Sequence, residues 1–280
     1  MPELPELQAH AERLDAGYAG ASLARFTPLT FTALKTAVPP TTDAHGHELV
    51  FVGRRGKYLL LDFGTLTFVV HLMQGGRIRE EAPGKQPAKP KTGVARWVFD
   101  DGRALLLSEA GTERKAGVWA VAGDPEGQRP LEGLGPDADS VDPPHLLRLL
   151  HERPMRLHGW LRDQRGVAGL GRRLANEICH RAKLSPFTST AKLTITDAEG
   201  LVEAIHASIN ESLAYERGRD NMSSSKDRPG SVHHREGEAC PVCGDTIRAV
   251  EYRSYTIDYC PTCQTGGKIL ADNTTSKFLK

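Results

Sequence analysis

Four cysteines near the end of the chain constrain its fold more than any other feature. Cys240 and Cys243 form one C-x2-C pair, and sixteen residues separate it from a second pair, Cys260 and Cys263. Two such pairs on facing turns can place four thiolates around one tetrahedral Zn²⁺ ion. Four thiolates leave no open coordination position, so the spacing predicts one structural zinc ion in a small ribbon. The fifth cysteine, Cys179, has apolar neighbours and is predicted to fill a core.

Nothing in the sequence indicates that these cysteines form disulfides in an exported protein. The chain begins with MPELPE, which is acidic and has neither the basic start nor the apolar core of a secretory signal. Charged residues make up 25% of the 280 residues, and no run approaches the ~18 apolar residues that a membrane helix requires. We therefore predict a cytoplasmic protein of roughly two domains with no membrane partner.

The first half of the chain, residues 1–125, predicts a helix followed by an antiparallel β-sandwich or barrel. Leu7, Ala11 and Leu14 recur at helical spacing between residues 6 and 18. Short β-favouring runs separated by Gly, Asp and Pro then follow, which is typical of these two architectures. The runs lie at residues 49–52, 58–63, 66–72, 96–99, 104–107 and 118–121.

The second half predicts a helical domain and then the cysteine-rich ribbon. Residues 126–144 are rich in Gly, Pro and Asp and are predicted to form a linker. In the helical domain, residues 145–222, Thr196 and Glu199 have the spacing of a capping box for the last helix. Helices are predicted at residues 145–150, 155–162, 172–182 and 197–215. The remaining segments are predicted to be a mobile loop at 223–234, the ribbon at 235–268 and a tail at 269–280.

The charge of the whole chain is +1, which by itself does not favour a nucleic-acid partner. Residues 1–150 carry 17 basic and 19 acidic side chains, whereas residues 151–280 carry 19 and 16. Between Arg153 and Lys183, eight basic side chains occur with only Asp163 and Glu177. This cluster is either a nucleic-acid-binding surface or an ordinary solvated helix face.

The first residues of the chain can supply a nucleophile. A small second residue favours removal of the initiator Met, which would leave Pro2 with a free secondary amine able to attack C1 of a sugar. Glu3 and Glu6 can then transfer protons, and Lys57 can bind a phosphate or protonate an oxygen. In a purely structural interpretation, the prolines stiffen the start and the two carboxylates complement the dipole of the first helix.

Five motifs occur together in the order seen in one enzyme family. They are MPELPE, RRGKYLLLDF at 54–63, HLMQGG at 71–76, GVAGLGRRLANEICHRAKLSPF at 166–187 and VHHREGEACPVCG…YCPTCQ at 232–264. On these motifs the chain resembles the formamidopyrimidine-DNA glycosylases and endonuclease VIII over essentially its whole length. The resemblance implies a mixed α+β multidomain protein: an N-terminal β-sandwich with its helix, a helix-two-turns-helix domain and a C-terminal Cys₄ zinc ribbon, with DNA bound in the cleft between the domains.

The resemblance also implies an activity and a partner. It implies a bifunctional DNA glycosylase and abasic-site lyase of base excision repair, which excises damaged bases, expected to be oxidised ones, and nicks the strand by elimination. The partner would be double-stranded DNA that contains damaged bases or abasic sites. The protein is further expected to be a monomer, of bacterial type, in the cytoplasm and on the nucleoid when bound to DNA.

Individual roles follow from the same resemblance. Pro2 corresponds to the Schiff-base nucleophile, Glu3 to the proton donor at the sugar, Glu6 to a second carboxylate and Lys57 to the phosphate-contacting proton donor of β-elimination. The four ribbon cysteines correspond to the zinc ligands. Met73 lies where the family inserts a side chain into the space of the extruded base, although Met73 can equally be a core residue. The expected DNA contacts are Met73, Lys115, Gly171, Arg172, Arg235 and Arg253.

Three positions depart from the family pattern and predict an atypical substrate. Arg172 replaces the asparagine of the G-I-G-N turn, although the glycines and the helix N-terminus can still hold a phosphate. Tyr255 replaces an arginine five residues before the third cysteine, and Arg253 lies two residues earlier on the same strand face. Ala116 replaces an aromatic wedge. Two alternatives stay open: a non-catalytic protein that binds damaged DNA or junctions, and a zinc-ribbon module of transcription or translation.

Overall fold

The structure is a computed structural model that describes residues 1–88, 90–111, 114–222, 227–252 and 255–270. These residues form two compact units. We call Met1–Gly133 with Glu216–Met222 the N-terminal unit, and Leu134–Tyr215 with the described residues after Met222 the C-terminal unit. Residues 216–222, which the sequence assigned to the helical domain, therefore group with the N-terminal unit.

The N-terminal unit is a helix and an antiparallel β-sandwich, as the sequence predicted. Helix α1 spans Leu4–Tyr18. Within the described residues, two four-stranded sheets follow, ordered β1-β6-β7-β5 and β2-β3-β4-β8, and all pairings in them are antiparallel. The strands are β1 Leu23–Pro28, β2 Phe51–Arg55, β3 Tyr58–Asp62, β4 Leu66–His71, β5 Gly76–Glu81, β6 Gly93–Phe99, β7 Ala104–Glu109 and β8 Gly117–Ala122.

The core of this unit is aromatic and aliphatic. Phe26, Phe68 and Trp97 form a cluster with ring centroids 4.8–5.8 Å apart, and Leu7 and Leu14 of α1 belong to the same core. Burial of these side chains is the main favourable contribution to folding. The helical spacing that predicted α1 therefore reflects its packing against the sandwich.

Strands β1 and β5 were not predicted from the sequence. Both lie at the edges of their sheet, where a strand has only one neighbour. β5 reads GRIREE and buries few side chains, while β1 lacks strict alternation and ends at Pro28. Edge strands carry polar residues and proline, so their apolar signal is weak, and pairing to β6 and β7 determines their structure.

The C-terminal unit contains helices α2 Pro143–Glu152, α3 Leu157–Arg162, α4 Arg172–Arg181 and α5, whose range Ile195–Arg217 extends into the N-terminal unit. The capping box of α5 lies two residues earlier than predicted. Thr194 and Asp197 form it: the Thr194 N–H donates to Asp197 Oδ2 at 2.8 Å, and the Asp197 N–H donates to Thr194 Oγ1 at 3.3 Å. Thr196 and Glu199 have the same spacing, so sequence alone could not choose between the two pairs.

The cysteine-rich end forms a hairpin and a short helix. Strands β9 Arg248–Glu251 and β10 Thr256–Tyr259 are antiparallel, and helix α6 Pro261–Thr265 follows. Residues 228–233, predicted to belong to a mobile loop, are largely packed: Arg228, Val232 and His233 are buried. A hydropathy pattern could not predict this burial, because the segment is held by hydrogen bonds to a polar side chain on α4. No helix among the residues described has the length and hydropathy to cross a membrane.

Candidate active site and metal centre

The first residues of the chain are buried where α1 begins. Pro2, Glu3 and Glu6 are buried, and Glu3 is the N-cap residue of the helix. The Glu3 N–H donates to Glu6 Oε2 at 3.0 Å, and the Glu3 side chain accepts the backbone N–H of Glu6 in return. This capping box satisfies two N–H groups that the start of a helix leaves without partners. The sequence-predicted carboxylates therefore also fix the conformation of the residue after Pro2.

Burial of the chain end favours a neutral amine. Burial is the largest effect and lowers the pKa of the Met1 amine. Glu3 and Glu6 oppose the shift, while Arg77 and Lys57 make smaller contributions that lower the pKa. A buried amine loses hydration of its charged form, so its neutral form is favoured. A neutral amine is the nucleophilic form. The same groups would surround the Pro2 nitrogen if Met1 were removed.

Lys57 lies at the tip of the hairpin between β2 and β3. Arg55 pairs with Tyr58, so Gly56 and Lys57 form a two-residue turn. Gly56 has a φ of 54°, which glycine adopts without the cost that a side chain imposes. Lys57 is half-buried, and its charge contributes to the lowered pKa of the Met1 amine. The structure thus places Pro2, Glu3, Glu6 and Lys57 within the same unit. The charges of Glu3, Glu6 and Lys57 act on the amine at the chain end.

The HLMQGG motif forms a tight turn between β4 and β5. Met73 has a φ of 53°, and its N–H donates to Nδ1 of His71 at 3.1 Å. Gly76 allows the turn to close, because a Cβ on it would lie 2.1 Å from the Leu72 carbonyl oxygen. The Met73 side chain is partly buried and packs against the core of the N-terminal unit. A left-handed conformation in a large apolar residue costs free energy, which is common at functional sites.

Sequence reasoning missed three residues near this turn. Burial lowers the pKa of His71 to about 4, with additional contributions from Lys57 and the terminal amine. Burial also lowers the pKa of His10 to about 4. Arg77 follows the turn and influences the pKa of the Met1 amine. The HLMQGG motif contained the signal for His71, whereas only the folded chain brings His10 and Arg77 near the same groups.

The turn before α4 is held by a side-chain amide. Gln164 donates from Nε2 to the carbonyl oxygens of Arg162 and Leu170, and its Oε1 accepts the Gly169 N–H at 3.0 Å. Gly171 is the N-cap of α4, and Arg172 is its first residue and is half-buried. The N–H groups at this helix start can bind an anion. Gln164 was not among the residues predicted from the sequence.

The four ribbon cysteines form a cluster that can bind a metal ion. Cys240 Sγ lies 3.9 Å from Cys263 Sγ, and Cys243 Sγ lies 3.3 Å from Cys260 Sγ. Four thiolates around a tetrahedral Zn²⁺ would be about 3.8 Å apart, given Zn–S bonds of ~2.3 Å. The donor set therefore fits a closed, structural metal site. His180 of α4 also reaches the cluster, with Nε2 3.3 Å from Cys240 Sγ.

Comparisons with known proteins agree with this arrangement. The family described as formamidopyrimidine-DNA glycosylase N-terminal domain matches residues 1–117. A protein of Methylococcus capsulatus named formamidopyrimidine-DNA glycosylase is 32% identical over an alignment that covers 94% of this chain and 100% of that protein. The chain belongs to the formamidopyrimidine-DNA glycosylase family. An uncharacterized formamidopyrimidine-DNA glycosylase-like protein of Mycobacterium tuberculosis is 40% identical over 162 residues, 57% of this chain and all of that protein.

Solved structures show the same fold. MutM (Fpg) of Thermus thermophilus aligns with a TM-score of 0.81 and 29% identity over 96% of this chain and 100% of its own. The Fpg of Lactococcus lactis, bound to DNA containing an AP site, aligns with a TM-score of 0.80 and 22% identity over 94% of this chain and 99% of its own. These alignments confirm the predicted fold class of a glycosylase of this family, and the cysteine cluster is consistent with its ribbon.

The position of the family's aromatic wedge is buried here. Ala116 is 1% exposed and belongs to the sandwich core, and its N–H donates to Glu109 Oε2 at 2.8 Å. Lys115, the predicted DNA contact beside it, is exposed. Because the Ala116 side chain is inside the fold, it does not wedge into a base stack.

Three side chains of the basic cluster between Arg153 and Lys183 have structural partners. Arg173 is buried and donates to the carbonyl oxygens of Arg228 and Pro229. Arg153 pairs with Asp163 at 2.9 Å, and Arg181 pairs with Glu211 at 2.5 Å. These three guanidinium groups of the eight basic side chains are therefore engaged within the C-terminal unit.

The remaining predicted DNA contacts differ in their surroundings. Arg235 donates to Glu238 at 2.7 Å and to the carbonyl oxygens of Gly230 and Ser231 at 3.2 Å each. Tyr255 stacks on Tyr252 at 4.7 Å, and the Arg162 guanidinium lies 4.3 Å from its ring centroid. Arg253 lies outside the described residues. The tyrosine that replaces the family arginine thus contributes to packing between α3 and the hairpin.

Proposed function

We propose that this family member is a bifunctional DNA glycosylase and abasic-site lyase that uses the amine of Pro2 as its nucleophile. The observation that carries the proposal is the chain end itself. Pro2 is buried beside Glu3 and Glu6, in surroundings that lower the pKa of a terminal amine. Such an environment supplies a neutral amine near neutral pH, which a purely structural helix start does not require.

The reaction begins after removal of Met1, because the lone pair of an acylated proline nitrogen is delocalised into the amide and is not nucleophilic. The Pro2 nitrogen attacks C1′ of the damaged nucleotide, the glycosidic bond breaks, and the base leaves with the bonding electron pair and a proton. The sugar ring then opens at O4′, which takes up a proton, and the amine loses its own. The product is an iminium between Pro2 and C1′. This covalent intermediate divides a difficult displacement into two easier steps.

Glu3 and Glu6 have separate roles in this proposal. Glu3 supplies the proton to O4′, since it follows the nucleophile directly. Glu6 is a positioning residue, because its carboxylate accepts the Glu3 N–H at 3.0 Å and is 1% exposed. Holding the acid and the amine in one geometry is itself a large contribution to rate.

Elimination follows from the iminium. Loss of a proton from C2′ and departure of the 3′ phosphate oxygen break the strand, and water then hydrolyses the iminium to release Pro2. Lys57 is suited to contact that phosphate and to supply its proton. It lies at the tip of a two-residue turn, and its charge affects the pKa of the amine at the chain end. Pre-positioned cations of this kind stabilise charge that develops on a leaving oxygen.

The proposed substrate is double-stranded DNA with a damaged base or an abasic site. A solved relative, the Fpg of Lactococcus lactis, was crystallised with DNA containing an AP site, and another structure of that protein contains Fapy-dG. A base within a duplex is inaccessible, so the nucleotide must be extruded. Met73, Lys115, Gly171, Arg172, Arg235 and Arg253 are proposed to contact that DNA. Zinc is the proposed metal, because a closed four-thiolate site suits Zn²⁺.

Borohydride trapping on defined duplexes tests the proposal. Duplexes with 8-oxoguanine, formamidopyrimidine, an oxidised pyrimidine, an abasic site or an interstrand crosslink are incubated with the protein and borohydride. We expect a covalent protein-DNA complex on at least one duplex, and intact-mass measurement should show that Met1 is absent. An added N-terminal residue should abolish trapping, whereas Pro5→Ala, which changes the other proline at this helix start, should preserve it.

The outcomes separate the two candidate functions. Retention of Met1 together with tight binding to damaged duplexes, and no trapped complex on any of them, would replace the lyase by a non-catalytic damage-binding protein. Trapping that survives the N-terminal extension would assign the nucleophile to a lysine instead of Pro2.

A further inference from the structure

His180 lies against the metal cluster although no C-x2-C motif includes it. Its Nε2 is 3.3 Å from Cys240 Sγ, and both residues are buried. Nε2 and the sulfurs of Cys240, Cys260 and Cys263 all lie within 4.8 Å of one another. The donors that can reach one ion in this cluster therefore include an imidazole as well as the cysteines.

Hydrogen bonds near His180 connect helix α4 and the residues after it to the ribbon. Gln264 of α6 donates from Nε2 to the Leu184 carbonyl oxygen at 3.0 Å, and its Oε1 accepts the Cys260 N–H at 2.8 Å. One turn before His180, Asn176 donates to Asp258 Oδ2 of β10 at 3.0 Å. These bonds flank His180 along the chain and hold its backbone beside the ribbon, and the residue itself is 5% exposed, so its ring is enclosed next to the sulfurs.

Glu177 adds a third connection from the same helix. Its carboxylate accepts the backbone N–H groups of Ser231, Val232 and His233 at 2.7, 3.1 and 2.8 Å. These residues lead directly to the first cysteine pair. The helix that carries His180 therefore also fixes the segment from which Cys240 and Cys243 extend.

The four cysteines differ in their protection from solvent. Cys240 and Cys260 are buried, Cys263 is partly buried, and Cys243 is exposed. An exposed thiolate exchanges and reacts most readily, so Cys243 is the ligand that a metal in this cluster would lose first. Histidine nitrogen is a normal zinc ligand, and a Cys₃His set is a common structural site.

We propose that His180 is a fifth donor of the metal centre. While Cys243 is a ligand, the imidazole donates a hydrogen bond from Nε2 to the Cys240 thiolate, which carries no proton of its own. When Cys243 is not available, Nε2 takes the fourth coordination position. Zn–N and Zn–S bonds of ~2.1 and ~2.3 Å at tetrahedral angles place nitrogen and sulfur about 3.6 Å apart. The imidazole lies 3.3 Å from Cys240 Sγ and within 4.8 Å of the other two sulfurs, so this exchange needs a movement on the order of 1 Å.

Cobalt substitution and metal retention test the first half of the proposal. His180→Phe should make the metal easier to remove by a chelator, by about 10–100-fold in affinity, as for other residues that support ligands. The thiolate-to-Co²⁺ charge-transfer band should also shift to longer wavelength, because a thiolate without its hydrogen bond is easier to oxidise. His180→Gln, which keeps an N–H donor, should restore part of both properties.

The matched control is His151→Phe. That ring is in the same unit and bonds a backbone carbonyl oxygen, Leu193 O at 2.9 Å, so its loss should leave metal affinity and the cobalt spectrum unchanged. Equal effects of His151→Phe and His180→Phe, or no effect of either, would overturn the assignment.

Cysteine variants test the second half. Cys243→Ser should retain one metal ion per chain after desalting, with the cobalt charge-transfer intensity of three thiolates, whereas Cys260→Ser should lose the ion. The double variant Cys243→Ser/His180→Phe should lose it as well. The proposal is wrong if Cys243→Ser releases metal as completely as Cys260→Ser, or if the double variant retains metal as well as Cys243→Ser does. None of these measurements depends on DNA cleavage, so they stand apart from the proposed function.

Discussion

The Met73 N–H donates a 3.1 Å hydrogen bond to Nδ1 of His71, two residues earlier in the chain. Met73 is held at a φ of 53°, and the acceptor that holds it is an imidazole whose pKa burial lowers to about 4. Near neutral pH the His71 ring is therefore neutral, with its proton on Nε2 and a free lone pair on Nδ1 for Met73. The turn that presents Met73 is thus stabilised by a residue that the motif itself contains.

His71→Phe should destabilise this turn. The ring keeps its edge contact with Tyr58, at 4.7 Å between centroids, but loses the acceptor for the Met73 N–H. We expect a loss of about 1–3 kcal/mol in the free energy of unfolding, because a partly buried donor is left without its partner. Urea unfolding measures it, and His47→Phe, at an exposed histidine, should change stability by less than about 0.5 kcal/mol.

Gly76→Ala should be among the most destabilising single substitutions in the N-terminal unit. The new Cβ would lie 2.1 Å from the Leu72 carbonyl oxygen, and that oxygen accepts the Gly76 N–H at 2.8 Å. The backbone must therefore move and lose the turn, at a cost of several kcal/mol. Gly17→Ala is the control, since no atom lies within 4 Å of its added Cβ and it occurs in α1. That variant should be unchanged or more stable by up to about 1 kcal/mol.

Stability should fall as the pH is lowered from about 6.5 to about 4. Burial lowers the pKa of His10 and of His71 to about 4 in the folded state, from an ordinary value of 6.5. In this range the unfolded chain binds protons that the folded chain does not, so each histidine contributes stability above pH 6.5 that is lost as pH falls. Urea unfolding across this range measures the slope. His10→Leu should make the slope shallower, and a slope identical to wild type would contradict the assignment to His10.

Glu6→Ala should weaken both the helix start and the proposed chemistry. Loss of the acceptor for the Glu3 N–H should cost about 0.5–2 kcal/mol in unfolding free energy. It should also slow borohydride trapping, because Glu3 and Pro2 lose their fixed geometry. Glu6→Gln keeps an oxygen acceptor and should restore most of the stability. If Gln restores stability but not trapping, Glu6 acts as more than a positioning residue.

Arg172→Ala and Arg173→Ala should separate DNA contact from folding, although the residues are adjacent. The buried Arg173 side chain donates to the carbonyl oxygens of Arg228 and Pro229, so its loss should cost about 2 kcal/mol or more in stability. Arg172 is half-buried at the start of α4, so its loss should leave unfolding unchanged. Arg172→Ala should instead weaken binding to duplex DNA and reduce the salt slope by about 1. An unchanged salt slope would remove Arg172 from the binding surface.

Local patterns were sufficient to predict much of the molecule. Helical spacing in the first residues, alternation in the central strands and the two C-x2-C pairs each report an interaction between residues near in sequence. For that reason α1, six of the strands in the sandwich and the cysteine cluster were predicted from the chain alone. The motifs in their order also identified the family, which the comparisons confirmed.

Other features depended on residues far apart in the sequence, and only the tertiary structure decided them. Strands β1 and β5 exist because β6 and β7 supply their hydrogen bonds. Ala116 is a core residue because Glu109 and the sandwich enclose it. Arg173 stabilises the fold because the backbone carbonyl groups of Arg228 and Pro229 lie beside it. His180 reaches the cysteines only after α4 packs on the ribbon. A sequence gives the hydrogen-bond donors, the acceptors and the charges. The burial of these groups and their bonding partners determine the energies of their interactions, and both arise only when distant segments pack together.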